Sequence, residues 1–175
     1  MAEKSSVADA SIIEALENAG VPYELYQHPP FDTCEASKAW HTQSGKKGVR
    51  VKNLFLRNKN GKKHFILMLP HALEFDKAAF KVLSGEKCGF ASNDRLWEYL
   101  KTIPGSVSPL ALVHDAENQV ELYIESSLLK AAVLHVHPGN SQFSVALTPD
   151  DLTAVVMGLH HAPQIIEWQD ASLSD

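Results

Sequence analysis

Two runs are apolar at nearly every position: Leu54-Phe55-Leu56 and, after a short polar break, Phe65-Ile66-Leu67-Met68-Leu69. A strand with one wet face alternates apolar and polar side chains, whereas an unbroken run marks a strand covered on both faces. Residues 49–57 and 64–69 are therefore expected as central strands. Asn58-Lys59-Asn60-Gly61 between them has the composition of a tight hairpin turn, and Pro70 stops the return strand.

Around this hairpin the pattern is mixed. Val7, Ile12, Ile13, Leu16 and Ala19 form a stripe that predicts an amphipathic helix over 6–19, with Ser5 or Ser6 as cap and Gly20 as stop. A short strand is expected at Val21–Tyr26 and a rigid turn at His28-Pro29-Pro30. Asp32 with Glu35 resembles a capping box for a helix over 33–40. Helices follow at 75–83 and 92–101, the second capped by Ser92. Strands are expected at 110–114, 119–124, 132–137, 142–147 and 165–168, with a helical turn at 125–131. Thr148-Pro149 opens a helix that runs to about His160. The expectation is a single α+β (mixed α/β) domain over 1–168, with a mixed β-sheet or partly closed barrel flanked by helices. Residues 169–175 read as a loose polar tail.

With 175 residues, 45% hydrophobic and 21% charged, the chain has ordinary globular composition. No stretch approaches the roughly 20 apolar residues of a membrane span, and the N-terminus has no apolar signal region. A cytoplasmic protein is the default expectation. Cys34 and Cys88 are far apart and outside any metal-type spacing, so both read as reduced structural residues, Cys34 with the further option of a nucleophile. The net charge of −5 argues against general nucleic-acid affinity. Yet Lys46, Lys47, Arg50, Lys52, Arg57, Lys59, Lys62 and Lys63 form a segment without one acid, half of the chain's 16 cations. A basic hairpin on an acidic body suits a small polyanionic contact such as the end of an RNA; it also serves simply to protect a sheet edge.

Lys52 shares a strand face with Leu54 and Leu56, and an ammonium rarely enters a core unpaired. It is either solvated at the sheet end or aimed into a pocket that awaits an anion. His135 and His137 share a face, but zinc needs more ligands with carboxylate support. His137, before a Pro-Gly turn, reads as a pocket wall or a surface turn residue. Gly105-Ser106-Val107-Ser108-Pro109 is either a plain connection or a loop whose backbone lets a ligand approach closely. No serine-nucleophile elbow, phosphate loop or dinucleotide fingerprint appears.

Lys52-Asn53-Leu54-Phe55-Leu56-Arg57 with its Lys/Asn/Gly hairpin resembles the signature of the YbaK/ProX family, the free-standing relatives of the editing domain of bacterial prolyl-tRNA synthetases. Tyr26-Gln27-His28-Pro29-Pro30 with Thr33 and Glu35-Ala36, the Gly105–Pro109 loop, and His137-Pro138-Gly139-Asn140 are similar to its other segments, from about Val21 to Trp168. Two departures bear on substrate preference: the asparagine stands one position early, at Asn140, and Gln142-Phe143-Ser144 replaces Thr-Ala-Thr. The resemblance implies hydrolysis of the ester in mischarged tRNA, most similar to the branch acting on Ala-tRNA(Pro), with no metal or cofactor. A proline pocket cannot strongly reject a smaller apolar amino acid, so a second, smaller site removes the error.

On that resemblance Lys52 binds the phosphate or ribose of the acceptor end, and the Gly105 backbone with Ser106, Val107, Ser108 and Pro109 positions water and carbonyl. Asn53 holds the terminal adenosine or aminoacyl group, which needs a twist or bulge because it faces away from Lys52. His137 lines the amino-acid pocket opposite Tyr26, His28 and Thr33, and Lys46, Lys47 and Arg50 contact tRNA. A prolyl-tRNA synthetase or an elongation factor is the implied delivering partner, since no synthetase domain is evident. Deacylation of Cys-, Ser- or Thr-charged tRNA, or a silent tRNA-end-binding or synthetase-associated module, are the alternatives.

Overall fold

The computed structural model describes residues 8–29, 31 and 34–168. Its centre is the hairpin of β2 (Val49–Asn58) and β3 (His64–Pro70), paired in an unbroken antiparallel register from Val51↔Pro70 to Arg57↔His64. The turn closes locally. Asn58 Oδ1 accepts the N–H groups of Lys62 and Lys63, both at 3.0 Å, and Gly61 takes the left-handed conformation at φ 71°. Arg95 donates to the Gly61 carbonyl at 2.9 Å, so the guanidinium occupies the space that a side chain at 61 would need.

One edge of β2 belongs to β3, whose other side carries β5 (Val120–Glu125) and then β8 (Gln164–Ile166), both parallel. The second edge of β2 is divided. Val49 and Arg50 pair in parallel with β6 (Leu134–Val136), which continues to β7 (Phe143–Leu147) and β1 (Glu24–Gln27). Leu56, Arg57 and Asn58 pair instead with β4 (Cys88–Phe90), and Ala91 N–H reaches the Phe55 carbonyl at 3.0 Å. Between those partners, at Val51–Leu54, no strand among the described residues pairs with this edge. The sheet therefore forks along β2. It holds eight strands in the order β1-β7-β6-β2-β3-β5-β8, with β4 on the second branch, and it is open at β1 and β8.

Because side chains alternate, β2 and β3 feed two cores. Phe55, Ile66 and Met68 join the larger core, built with α1 (Ala10–Ala19), α4 (Asn93–Leu100) and α5 (Pro149–Gly158). Leu56, Phe65, Leu67 and Leu69 join the smaller one, where Phe80 of α3 (Lys77–Ser84) and Tyr123 pack edge to face on Phe65. This double burial is the reason for the continuous apolar runs.

Several boundaries differ from the sequence expectation. Asp9 caps α1 through the Ser11 N–H, a turn later than expected; Ser5, Ser6 and Val7 lie outside the described residues. The expected strand at 110–114 is a 3₁₀ helix, Pro109–His114. Ser108 accepts the Leu110 N–H and Pro109 presets the first turn, so Leu110, Ala111 and Leu112 bury themselves by winding rather than by pairing. β4 was not expected; three residues with a central glycine leave no readable alternation. The helix expected at 33–40 is α2 (Cys34–Ser44); its expected cap, Asp32, lies outside the described residues, as does the 169–175 tail. Cys88 is a buried free thiol. No helix among the described residues is long and apolar enough to cross a membrane.

A buried ionic knot ties the far end together. Asp115 accepts the N–H groups of Gln119 and Val120, and His161 Nε2 donates to it at 2.8 Å while Nδ1 donates to the Leu159 carbonyl. Burial pushes the Asp115 carboxyl up, but His161 and the two N–H groups outweigh it and hold it below the ordinary carboxylate value. Removing one partner of such a pair strands the other. Asp115→Ala is therefore expected to lower the unfolding free energy by about 3 kcal/mol, read from urea denaturation; a loss within error of zero would show that the knot is dispensable.

Candidate functional site

The strand faces set the site. The backbone N–H of His71 donates to the Arg50 carbonyl at 3.0 Å, which extends the β2–β3 register one step past Pro70. Arg50, Lys52, Leu69 and His71 therefore share one face. Lys52 Nζ donates to the Leu73 carbonyl at 2.6 Å. Leu54 and Leu73 pack beside it on the smaller core, as the expected Lys52–Leu54–Leu56 face requires. Among the described residues no carboxylate lies within ion-pair distance of Lys52, so the ammonium is steered by a carbonyl dipole and keeps its charge uncompensated.

Asn53 lies on the opposite face, between Val51 and Phe55, which pack on the larger core. The register is regular, so the bulge expected to bring it beside Lys52 is not there. Its Oδ1 is buried without a hydrogen-bond partner. The main chain supplies another route. Antiparallel ladders alternate between pairs that exchange hydrogen bonds and pairs that do not. With Arg50 bonded to His71, the peptide groups of Lys52 and Leu54 turn to β3, and those of Val51 and Asn53 turn to the open fork. The fork thus carries a cation on one face, a buried amide on the other, and two peptide groups between them.

β6, β7 and β1 continue the Arg50 face, and α2 lies across it. Tyr26 stacks on Trp40 with centroids 5.6 Å apart and planes within 3°. His28, Phe31, His41, His135 and His137 complete an aromatic cluster, with His28 stacked on Phe31 at 4.5 Å and His137 at 6.1 Å from His28. Hydrogen bonds fix the tautomers. A carbonyl can only accept, so His135 Nε2 carries the proton given to the Lys47 carbonyl, and Nδ1 accepts from the Tyr26 hydroxyl at 2.6 Å. By the same logic His28 Nδ1 donates to the Pro29 carbonyl and Nε2 accepts from Ser144 Oγ at 2.8 Å. His137 Nδ1 donates to the Phe143 carbonyl at 2.8 Å.

Burial dominates the titration of this cluster. It pushes Tyr26 up to about 12, so the phenol stays a donor. It pushes His28, His135 and His137 below their ordinary value, and takes His41 down to about 4 with help from His135 and Arg50. The tyrosine and the four histidines of the wall are uncharged at neutral pH. Gly48 makes it possible: at φ 129°, a Cβ there would meet both His135 Nε2 and the Val133 carbonyl at 2.7 Å.

Of the expected site residues, the structure unites Tyr26, His28 and His137, and joins Lys46 and Lys47 to the same wall. Lys46 pairs with Glu24 and lies 4.7 Å over the Tyr26 ring, and both lysines border an open groove of ≈ 550 Å³. Arg50 links this wall to Lys52, since its charge acts on both His41 and His71. Thr33 lies outside the described residues. Gly105, at φ 87°, is exposed, while Ser106, Ser108 and Pro109 are buried and Val107 packs on the larger core. None of the contacts above joins that loop to Lys52 or the histidines; it belongs to the Asn53 side of β2. Sequence reasoning missed Trp40, His41 and His71. The tryptophan in an otherwise polar helix and the histidine directly after a strand-stopping proline were the available signals.

The Aminoacyl-tRNA editing domain family model matches residues 28–155. The prolyl-tRNA editing protein ProX of Acetoanaerobium sticklandii is 31% identical over 150 residues, covering 85% of this chain and 90% of that protein. The bovine prolyl-tRNA synthetase associated domain-containing protein 1 is 27% identical over 164 residues, covering 91% and 94%. A crystal structure of a candidate trans-editing enzyme for prolyl-tRNA synthetase superposes with a TM-score of 0.72 at 18% identity, covering 94% of this chain and all of that one.

A histidine whose pKa is lowered by folding leaves the unfolded chain holding more protons, so stability falls as pH drops from the ordinary 6.5 toward the folded value. The urea midpoint is expected to decline between pH 6.5 and 4, and His41→Gln to make that decline shallower by at most about one proton. Identical slopes for the two proteins would remove His41 from the buried neutral set.

Proposed function

This chain belongs to the aminoacyl-tRNA editing domain family, and from that premise we propose that it is a trans-acting deacylase which hydrolyses mischarged tRNA, with Ala-tRNA(Pro) as its substrate. The observation that carries the reading is Lys52. It is a partly buried ammonium without a carboxylate among the described residues, at the fork of the sheet, beside Arg50 and His71. Such a cation suits the phosphate–ribose end of an RNA.

Roles follow from placement. Lys52 holds the phosphate or ribose of the terminal nucleotide. Asn53 offers its main-chain groups at the fork and its unpartnered Oδ1 on the other face, the face shared with the Gly105–Pro109 loop. The peptide groups of that loop, unshielded at Gly105, orient water against the ester carbonyl and stabilise the oxyanion. Water adds to the carbonyl carbon, the ester C–O bond breaks, and the ribose oxygen leaves with a proton. No side-chain nucleophile is needed. Lys46, Lys47 and Arg50 contact the acceptor stem.

Tyr26, His28 and His137 form the amino-acid wall. Tyr26 is engaged with His135 and His28 with Ser144, while His137 spends its proton on the Phe143 carbonyl and turns Nε2 into an acceptor. A serine or threonine hydroxyl entering there would lose water and find His137 Nε2 as its acceptor, with Tyr26 and His28 already paired. So few partners for a hydroxyl favour alanine over Ser- or Thr-charged tRNA.

The purified protein is expected to release alanine from Ala-tRNA(Pro) and to spare Pro-tRNA(Pro) and Ser-charged tRNA. Lys52→Ala is expected to slow release by about 100-fold or more with an unchanged thermal midpoint, since Lys52 makes one hydrogen bond to a loop carbonyl. An undiminished rate in that variant would end the assignment; binding of acceptor-stem RNA without any release of amino acid would favour a silent tRNA-end-binding module.

A further inference from the structure

His71 is not among the residues to which the family resemblance gives a role, and its position asks for one. Its backbone is pinned opposite Arg50, so its ring lies beside the Arg50 side chain and diagonal to Lys52 on one sheet face. Its Nε2 is buried and has no hydrogen-bond partner. A buried polar atom left unpaired costs roughly 1–3 kcal/mol, and one placed beside two cations at the mouth of a proposed site is ready for a ligand. The field there is positive, so the ligand attracted to it is an anion. A neutral imidazole can still meet an anion by donating Nε2–H. Burial, with Arg50 and Lys52, pushes the ring below the ordinary histidine value, which keeps it neutral until the ligand arrives.

We infer that His71 is a phosphate-binding residue that completes a three-donor site with Lys52 and Arg50, and that it grips a phosphodiester of the single-stranded acceptor end. This rests on the RNA reading above and deepens it. Lys52 supplies its remaining N–H donors, Arg50 a guanidinium, and His71 one short directional bond whose geometry is set by the β2–β3 register. The charged groups facing His71 are those two cations on β2; when a phosphate neutralises them, the imidazole is free to bind a second proton and tighten its hold.

The test is a comparison of RNA affinities. The probe is an uncharged acceptor-stem hairpin ending in single-stranded CCA, with each of its last two phosphodiesters replaced in turn by a neutral methylphosphonate. His71→Ala is expected to weaken binding of the unmodified RNA by about tenfold. His71→Gln, which keeps a donor at nearly the same reach, is expected to recover most of that loss. One methylphosphonate is expected to weaken the wild-type protein by more than it weakens His71→Ala, in which only Lys52 and Arg50 are left to feel the lost charge. Equal affinity of His71→Ala and wild type overturns the inference and leaves the deacylase reading standing on Lys52. A penalty from each methylphosphonate that is the same in both proteins also overturns it, since His71 then acts only through structure. Should the wild type fail to bind the RNA, inorganic phosphate is titrated while the His71 ring is followed by NMR. A Lys52-dependent shift would keep the anion site and reject the tRNA reading; no shift would reject both.

Discussion

One strand with divided loyalties governs this molecule. β2 is ten residues long, longer than any partner it has on its second edge. β6 takes its first two residues and β4 its last three, so the middle is left without a neighbour among the described strands. A sheet edge normally invites aggregation. Here the exposed stretch is only a few residues long, lies inside a fold, and carries Lys52. The opening that would be a liability at a sheet's rim becomes a slot between two branches of the sheet.

The two cores explain why the slot survives. Phe55 and Leu56, adjacent in sequence, anchor β2 in different cores, both almost completely buried. β3, buried along nearly its whole length, backs the opposite edge. The strand cannot slip by one residue without exchanging every core side chain for one of the wrong face. Register here therefore controls chemistry as well as packing: it sends the Lys52 side chain to one face and the Asn53 side chain to the other, and aims the Asn53 peptide group into the gap.

Electrostatics divides the neighbourhood in two. On the α2 side, burial keeps four histidines neutral and the tyrosine protonated, and Tyr26, His28 and His135 are bonded to one another, to Ser144 or onto carbonyls. A few residues away, Arg50 and Lys52 create a positive mouth. An aminoacyl ester of a nucleotide has a matching division, with a small side chain at one end and a polyanion at the other. Family membership points to that class of ligand, and the proposed site rests on this placement.

Much of the fold was legible from local pattern. The β2–β3 hairpin, the Ser92 and Thr148 caps and the opening of α5 depend on neighbours in sequence, so propensity and periodicity describe them. The 110–114 segment was not, because an apolar run reads alike whether it pairs or winds, and the decision lay with a capping serine and a proline just before it. Lys52 could be placed on its face by alternation, but alternation alone left open what stood across from it. That Leu73 offers a carbonyl, that His71 stands opposite Arg50, and that β6 and β4 divide an edge between them are facts of pairing between segments far apart in the chain. Sequence by itself determined which residues alternate, which turns close and which family the motifs resemble. Tertiary structure alone decided where an edge was left unpaired and which buried polar atoms were left without partners, because both depend on which distant strands compete for the same backbone hydrogen bonds.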